Sequence, residues 1–185
     1  MKDNIDSFDQ LPSLKSNVFR ISGEKTKLNC VTLLGATNSF ESQVEPGADQ
    51  ELKYTLNFTE KLNILSEDML EQLSAALLKS SSNTSTQVVI LRSTGKAFCA
   101  GHDLKEMQEA RANNDGGLDY FKSLFKKCSN LMKQIKNLPK PVIAEVQGVA
   151  TAAGCQLVAT CDIAVASDTA RFGVNGVNIG LFCST

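Results

Sequence analysis

Gly148 to Asp162, with the sequence GVATAAGCQLVATCD, is the stretch that decides how this chain folds. It follows a strand-length apolar run, Val142 to Val146, and it ends in a spaced apolar pattern. This order predicts a strand, a tight turn of small residues and a helix. Small residues let another group approach the backbone closely, and a helix that begins there presents unpaired N–H groups. The turn therefore predicts either close packing of helix on sheet or a site for an anion or a developing oxyanion.

A second stretch, Ser93 to Met107 with the sequence STGKAFCAGHDLKEM, has the same features. It follows a short apolar strand at 87–91, and small residues again stand between the strand and a predicted helix. Because both turns follow buried strands, we expect their backbone N–H groups to converge at one end of the sheet.

Predicted strands alternate with predicted helices along the chain, which favours an α/β fold with right-handed crossovers. The predicted strands lie at 28–34, 52–58, 87–91, 142–146 and 163–166, and the apolar alternation at 52–58 predicts a half-buried strand. One helix begins after Ser66, which can cap it, and another spans 118–137 with a solvated lysine face. In each helix the apolar side chains recur on one face. Residues 1–26 are polar and aperiodic, which predicts a mobile leader before a single domain at 27–185. Loops are predicted at 35–49 and, as a solvated segment, at 80–86.

Composition excludes several classes of function. The 185 residues carry 19 basic and 20 acidic side chains, so the net charge of −1 gives no footprint for nucleic acid or an anionic membrane. No apolar run approaches the roughly 20 residues of a spanning helix. Asp3, Asp6 and Asp9 argue against a secretory signal and an ordinary mitochondrial transit peptide. One histidine and six cysteines without a C-x-x-C pair predict reduced thiols and no metal site.

The segments GKAFCAGHDLKEM and KPVIAEVQGVATAAGCQLVATCDIAVAS resemble the crotonase (enoyl-CoA hydratase/isomerase) superfamily, from about Leu52 to the end. Within it, ATAAGCQLVATCDIAVASD and GVNIGLFCST resemble one particular group of members. The resemblance implies the ClpP/crotonase fold, a spiral of ββα units, incomplete here at its C-terminus because family members continue past GLFCST. It also implies a homo-trimer or hexamer for a full-length relative, which we do not expect of a chain that ends at 185.

The ligand that the resemblance implies is an acyl-CoA thioester, with coenzyme A as part of the substrate and no separate cofactor. The backbone N–H groups of His102 and Ala153 would hold the thioester oxygen and stabilise an enolate-like intermediate. Lys105 would lie near the ribose phosphate, and Lys61 with Leu62 would cover the adenine and pantetheine. The residues that the resemblance assigns to substrate binding are Lys61, Leu62, Ala100, His102, Asp103, Leu104, Lys105 and Ala153.

Two departures from the family pattern concern catalysis. Hydratases of the family use two glutamates, and their positions map to Gln156 and Gly176. An amide is not a general base near neutral pH, and loss of a positioned acid–base group costs about 10² to 10⁴-fold in rate. The sequence therefore predicts weak or no hydratase activity. An isomerase, decarboxylase or thioesterase reaction that needs only enolate stabilisation stays open, as does a non-catalytic regulatory or subunit role.

His102, Asp103 and Cys155 are also residue types that occur in nucleophilic active sites. His102 and Asp103 do not form a Ser-His-Asp triad, because the chain has no G-x-S-x-G nucleophile elbow. Cys155 is either a buried core thiol or a nucleophile beside the second turn. The family resemblance favours a mitochondrial location, and a cytoplasmic one is the alternative.

Overall fold

The computed structural model describes residues 18–21, 40–43 and 51–180, and within them nine strands form two sheets. The strands are β1 (Val18–Ile21), β2 (Phe40–Gln43), β3 (Glu51–Leu56), β4 (Val88–Ser93), β5 (Ala97–Cys99), β6 (Val142–Val146), β7 (Val149–Thr151), β8 (Ile163–Ser167) and β9 (Arg171–Gly173). The helices are α1 (Glu67–Ser82), α2 (Leu104–Ala110), α3 (Leu118–Asn137) and α4 (Ala153–Thr160), with short 3-10 helices at Thr59–Lys61 and Asn175–Ile179. The predicted α/β class is confirmed.

The two sheets are built from successive units of the chain. The main sheet has the order β1-β8-β6-β4-β3-β2, in which only β2 is antiparallel, and the small sheet has the parallel order β5-β7-β9. In each of the pairs β4–β5, β6–β7 and β8–β9, the first strand belongs to the main sheet and the second to the small sheet. A helix follows each pair: α2, α4 and the 3-10 helix Asn175–Ile179, respectively. The spiral of ββα units that the resemblance implied is confirmed.

A short strand of the small sheet separates each main-sheet strand from its small-residue turn. The direct order of strand, turn and helix predicted for both stretches is therefore wrong in detail, since β7 stands between β6 and α4, and β5 between β4 and α2. A strand of three residues is too short to show a period in the sequence, so only its small residues were visible.

Strand β3 is buried more completely than its alternating pattern predicted. All residues from Leu52 to Leu56 are buried, including Lys53, whose Nζ lies 3.5 Å from a carboxylate oxygen of Glu51. The prediction of a half-buried strand fails because β3 lies between β2 and β4 rather than at an edge, with both faces covered.

Helices α1 and α3 pack side by side on the main sheet with their predicted apolar faces inward. Ser66 caps α1, as predicted, by accepting a hydrogen bond from the Met69 N–H at 3.2 Å. The two helices run in the same direction, because polar pairs 60 residues apart meet along their whole length. These pairs are Glu67 with Lys127, Ser74 with Gln134, and Ser80 with Lys140, which follows α3.

The segment predicted as a solvated loop at 80–86 begins inside helix α1, which extends to Ser82. Ser80 is fully buried, and its hydroxyl lies 2.5 Å from the Tyr54 hydroxyl and donates to the Ala76 carbonyl. The prediction is wrong for the first part of this segment because the local sequence favours a loop, whereas the tertiary hydrogen bond with Tyr54 satisfies Ser80 within the helix.

Two predictions for the first fifty residues also need correction. Val18–Ile21, within the predicted mobile leader, forms β1 along β8, and Phe40–Gln43, within the predicted loop, forms β2 along β3. Both segments add to an edge of the main sheet, where backbone groups of β8 and β3 need partners that a local pattern does not reveal. The strand predicted at 28–34 lies outside the described residues.

Among the described residues, no helix is long and apolar enough to cross a membrane. In the same part of the chain, no three His, Cys, Asp or Glu side chains come together as candidate metal ligands.

Candidate functional site

The two small-residue turns lie against each other, as the sequence predicted. Strand β5 pairs in parallel with β7, and the Thr151 hydroxyl donates to the Ala100 carbonyl at 3.1 Å. A methyl group placed on Gly101 would lie 3.1 Å from the Ala152 Cβ and 3.4 Å from the Ala153 nitrogen. Gly101 has a φ of +95°, which an L side chain rarely adopts, so this close approach requires glycine.

Two backbone N–H groups are left without a carbonyl partner where these turns meet. Within the described residues, the His102 N–H, which lies before α2, donates to no backbone carbonyl, and the Ala153 N–H donates to none outside α4. Ala153 is the first residue of α4, where an N–H has no acceptor within the helix. Ala152, before it, is held at a φ of +51° while its N–H donates to the Gly173 carbonyl at 2.8 Å. The strained residue therefore orients the start of α4.

The segment around Lys61 and Leu62 is hydrogen-bonded directly to the first turn. The Ala100 N–H donates to the Leu62 carbonyl at 3.1 Å, and the Leu65 N–H donates to the Gly101 carbonyl at 2.7 Å. The structure thus brings together the predicted segments at 61–62, 100–105 and 153.

Asn63 holds this segment in place, and the sequence reasoning missed it. Its side chain is fully buried, with Oδ1 accepting from the Phe58 N–H at 2.7 Å. Its Nδ2 donates to the carbonyls of Thr94 and Ala97, both at 2.8 Å. Asn63 has a φ of +53°, a conformation in which asparagine is enriched. A lone amide between Leu62 and Ile64 was the signal that could have revealed it.

The charged residues predicted to bind coenzyme A are engaged in ion pairs. Lys61 Nζ lies 3.5 Å from Asp103 Oδ2 and 5.1 Å from the centre of the Phe58 ring. Lys105, with 77% of its side chain exposed, lies 3.7 Å from Glu109. Exposed apolar side chains stand beside them: Leu62 is 47% exposed and Leu104 is 55% exposed.

Gly154 decides between the two interpretations of the small residues in α4. A Cβ at this position would lie 2.2 Å from the Cys99 carbonyl oxygen, so α4 packs directly on the backbone of β5. Gly148 has a comparable role against the Lys96 carbonyl. These two glycines serve close packing, whereas Ala153 is adjacent to the open N–H groups.

Glu106 is a further carboxyl group near the site that sequence reasoning missed. Its Oε2 accepts from the Glu67 N–H at 3.2 Å and from the Tyr120 hydroxyl at 3.4 Å. Burial raises the pKa of Glu106, and it also raises the pKa of Tyr120, to about 12. A pocket of about 100 Å³ lies beside it, lined by Phe58, Lys61, Ser66, Asp68, Met69, Asp103 and Glu106. Its mixed charge and small volume suit a few polar atoms rather than an acyl chain.

The cysteines of the described residues do not form disulfides. Burial raises the pKa of Cys99 and of Cys161 to about 12, so both thiols stay protonated near neutral pH. Cys155, two residues after Ala153, is half-buried.

The His102 side chain points into the protein. Both ring nitrogens are buried and have no hydrogen-bond partner among the described residues, and the ring packs edge-on against Phe125 with centroids 5.8 Å apart. Burial lowers the pKa of His102 from 6.5, and the nearby Leu65 backbone, which favours the charged ring, offsets only part of this effect. The imidazole is therefore neutral near pH 7, and its backbone rather than its ring faces the second turn.

We expect His102 to make the protein less stable as the pH falls. Because its pKa is lower in the folded state, its contribution is complete above about pH 6.5 and is lost as the pH falls toward the folded pKa. Between about pH 7.5 and about pH 5.5, the free energy of unfolding should decrease less in His102→Leu than in the wild type, by up to about 1 kcal/mol. Urea unfolding of both proteins at the two pH values measures this difference. Equal pH dependence in both proteins would contradict the burial of a neutral ring.

Residues 51–185 match the profile of the enoyl-CoA hydratase/isomerase family. The chain belongs to this family. The group suggested by ATAAGCQLVATCDIAVASD is that of enoyl-CoA hydratase domain-containing protein 3, and this resemblance is confirmed. The mitochondrial protein of that name from Xenopus laevis is 41% identical over 174 residues, which are 94% of this chain and 56% of that protein. The human mitochondrial protein is 45% identical over 149 residues, 78% of this chain and 48% of that protein.

A solved structure of the same family agrees with this assignment. The crystal structure of human enoyl Coenzyme A hydratase domain-containing protein 3 has a TM-score of 0.70 and 43% identity, over 78% of this chain and 54% of that chain. The chain thus spans about half the length of the relatives that it matches.

The positions that the resemblance assigns to the family's glutamates follow the second turn. Gln156 lies in α4, where its N–H donates to the Ala152 carbonyl at 3.1 Å. Gly176 is buried in the 3-10 helix after β9. Neither residue has a carboxylate, and two other acids of the same part of the chain have partners elsewhere. Asp162 accepts from the Val142 N–H at 2.8 Å, and Glu145 pairs with Arg92 at 3.7 Å.

Proposed function

We propose that this chain binds an acyl-CoA thioester, with the N–H groups of His102 and Ala153 forming an oxyanion hole for the thioester oxygen. One observation carries the proposal: in the part of the chain that the structure describes, two N–H groups without carbonyl partners stand on backbone turns in direct contact. Fixed donors need no reorganisation when negative charge develops on a bound oxygen.

The surroundings of the two donors favour the same ligand. Lys61 and Lys105 supply positive charge for the phosphates of coenzyme A, although each now pairs with a carboxylate. Leu62 and Leu104 supply exposed apolar surface for the pantetheine and the start of the acyl chain. Family membership supports the assignment, because the family's name refers to enoyl-CoA substrates.

We infer that the chain has weak or no hydratase activity. With Gln156 and Gly176 at the glutamate positions, no general base is available to activate water by the usual route. An enolate-stabilising site without these carboxylates favours either plain acyl-CoA binding or a reaction that needs the oxyanion hole alone. The wider role that we propose is in fatty-acid metabolism.

The compartment that we propose is the mitochondrion, because the relatives from frog and human are named mitochondrial proteins. The cytoplasm is the alternative. Cell fractionation of the tagged chain decides between them. The trimer or hexamer implied by the resemblance stays a prediction for full-length relatives.

Calorimetric titration with acetoacetyl-CoA tests the oxyanion hole, because its enolate resembles the intermediate. We expect saturable binding by the wild type and about 10- to 100-fold weaker binding by Ala153→Pro, which removes one charge-assisted donor. Proline is tolerated at the first position of a helix, and circular dichroism of the variant checks that α4 still forms after the strained Ala152. Leu118→Pro at the first position of α3 is the control: it removes an N–H that donates to the Asp115 carbonyl at 3.4 Å rather than to the ligand, so it should bind like the wild type. A folded wild-type chain that does not bind acetoacetyl-CoA would overturn the proposal.

Gln156→Glu together with Gly176→Glu tests the interpretation of the missing carboxylates. We expect hydration of crotonyl-CoA to rise about 10²-fold or more above the wild type, since each restored group can transfer or position a proton. Melting curves of both proteins check that the new charges leave the fold intact. Efficient hydration by the wild type itself would contradict the argument.

A further inference from the structure

Asp103 connects three parts of the candidate site, although its own side chain is only 6% exposed. Its Oδ1 accepts from the Lys105 N–H at 2.8 Å and from the Glu106 N–H at 3.3 Å, which caps helix α2. Its Oδ2 lies 3.5 Å from Lys61 Nζ. Both carboxylate oxygens are therefore engaged, and little of the side chain is left to contact a ligand.

The backbone around His102 is held on both sides. Before it, the Gly101 carbonyl accepts from the Leu65 N–H at 2.7 Å. After it, the Asp103 cap ties the chain to the first turn of α2. Gly101, with a φ of +95°, is a flexible residue and by itself would let the turn adopt several conformations. The Asp103 cap, on the other side of His102, therefore restricts the direction of the His102 N–H.

The ion pair adds a second connection between the same segments. Lys61 is drawn toward Asp103 and lies over the Phe58 ring at 5.1 Å. Its neighbour Leu62 accepts from the Ala100 N–H at 3.1 Å. The Asp103 carboxylate thus connects the segment before α1 to the start of α2, on either side of the turn that contains the His102 N–H.

We propose that Asp103 is a positioning residue that holds the His102 N–H toward the ligand through the α2 cap and the Lys61 ion pair. The inference rests on the acyl-thioester site proposed above and assigns Asp103 a role other than ligand contact. The cap is the main element of this role, because asparagine and aspartate cap helices about equally well.

Three variants of the whole chain separate the two connections from a general loss of stability. Asp103→Asn keeps an acceptor for the cap but loses the ion pair, and Asp103→Ala loses both. Asp115→Ala is the matched control, because Asp115 accepts from the Gly117 and Asp119 N–H groups at the start of α3. All three are measured by amide hydrogen exchange over residues 100–107 without ligand, and by the enolate absorbance of bound acetoacetyl-CoA.

In Asp103→Ala we expect exchange over 100–107 to be about five- to tenfold faster, as for a lost cap, with the enolate absorbance weakened or lost. Asp103→Asn should restore both toward wild-type values, and Asp115→Ala should leave both unchanged. Unchanged exchange in Asp103→Ala, or equal acceleration in Asp115→Ala, overturns the inference. Normal enolate absorbance in Asp103→Ala also overturns it. If the wild type binds no acetoacetyl-CoA, the proposed function fails, and the exchange result alone decides whether Asp103 holds the turn.

Discussion

Replacing Gly154 with alanine is expected to lower the free energy of unfolding by about 3 kcal/mol, at the upper end of overpacking effects. A Cβ at Gly154 would lie 2.2 Å from the carbonyl oxygen of Cys99 and 2.7 Å from its carbonyl carbon. Both partners are backbone, so rotating a side chain cannot relieve the contact. Either α4 or β5 must move, which separates the His102 and Ala153 N–H groups as well.

Gly173→Ala is the control for this substitution. Gly173 lies in β9, and a Cβ there would meet no atom of residues 51–180 within 4 Å. We expect its effect to stay within about 0.5 kcal/mol, as for most surface substitutions. Urea unfolding followed by circular dichroism compares the two variants. If Gly154→Ala is as stable as the wild type, α4 does not pack on β5 as closely as described.

Replacing Asn63 with leucine is expected to lower the free energy of unfolding by about 3–4 kcal/mol, because three buried or part-buried backbone groups lose their partners. These are the Phe58 N–H and the carbonyls of Thr94 and Ala97. Leucine also tolerates the φ of +53° less well than asparagine does. The neighbouring Lys61–Leu62 segment would lose its anchor, so acetoacetyl-CoA binding should weaken too.

Two further variants identify the cause of that loss. Asn63→Asp keeps the acceptor for the Phe58 N–H but loses the two donors, and it should fall between the wild type and Asn63→Leu. Asn130→Leu, on the exposed surface of α3, should change stability by less than about 0.5 kcal/mol. An equal effect of Asn63→Leu and Asn130→Leu would contradict the role assigned to the buried amide.

Long periodic segments could be predicted from the sequence alone. The bounds of α3 and β6 agree with the prediction, and Ser66 caps α1 as expected. These elements have a buried apolar stripe or a buried β-branched run that local periodicity reveals. Short strands had no such pattern, which is why β5 and β7 were predicted as parts of tight turns and β2 as part of a loop.

The sequence by itself determined the α/β class, the inward faces of α1 and α3, the two small-residue stretches and the absence of carboxylates at Gln156 and Gly176. Only the tertiary structure decided that Ala100 and Thr151, 51 residues apart, are hydrogen-bonded, and that Gly154 serves packing. It also revealed the connections made by Asn63 and Asp103. The physical reason is that a local pattern reports which face of an element is buried, whereas contacts between distant turns depend on how the strands align in the sheets.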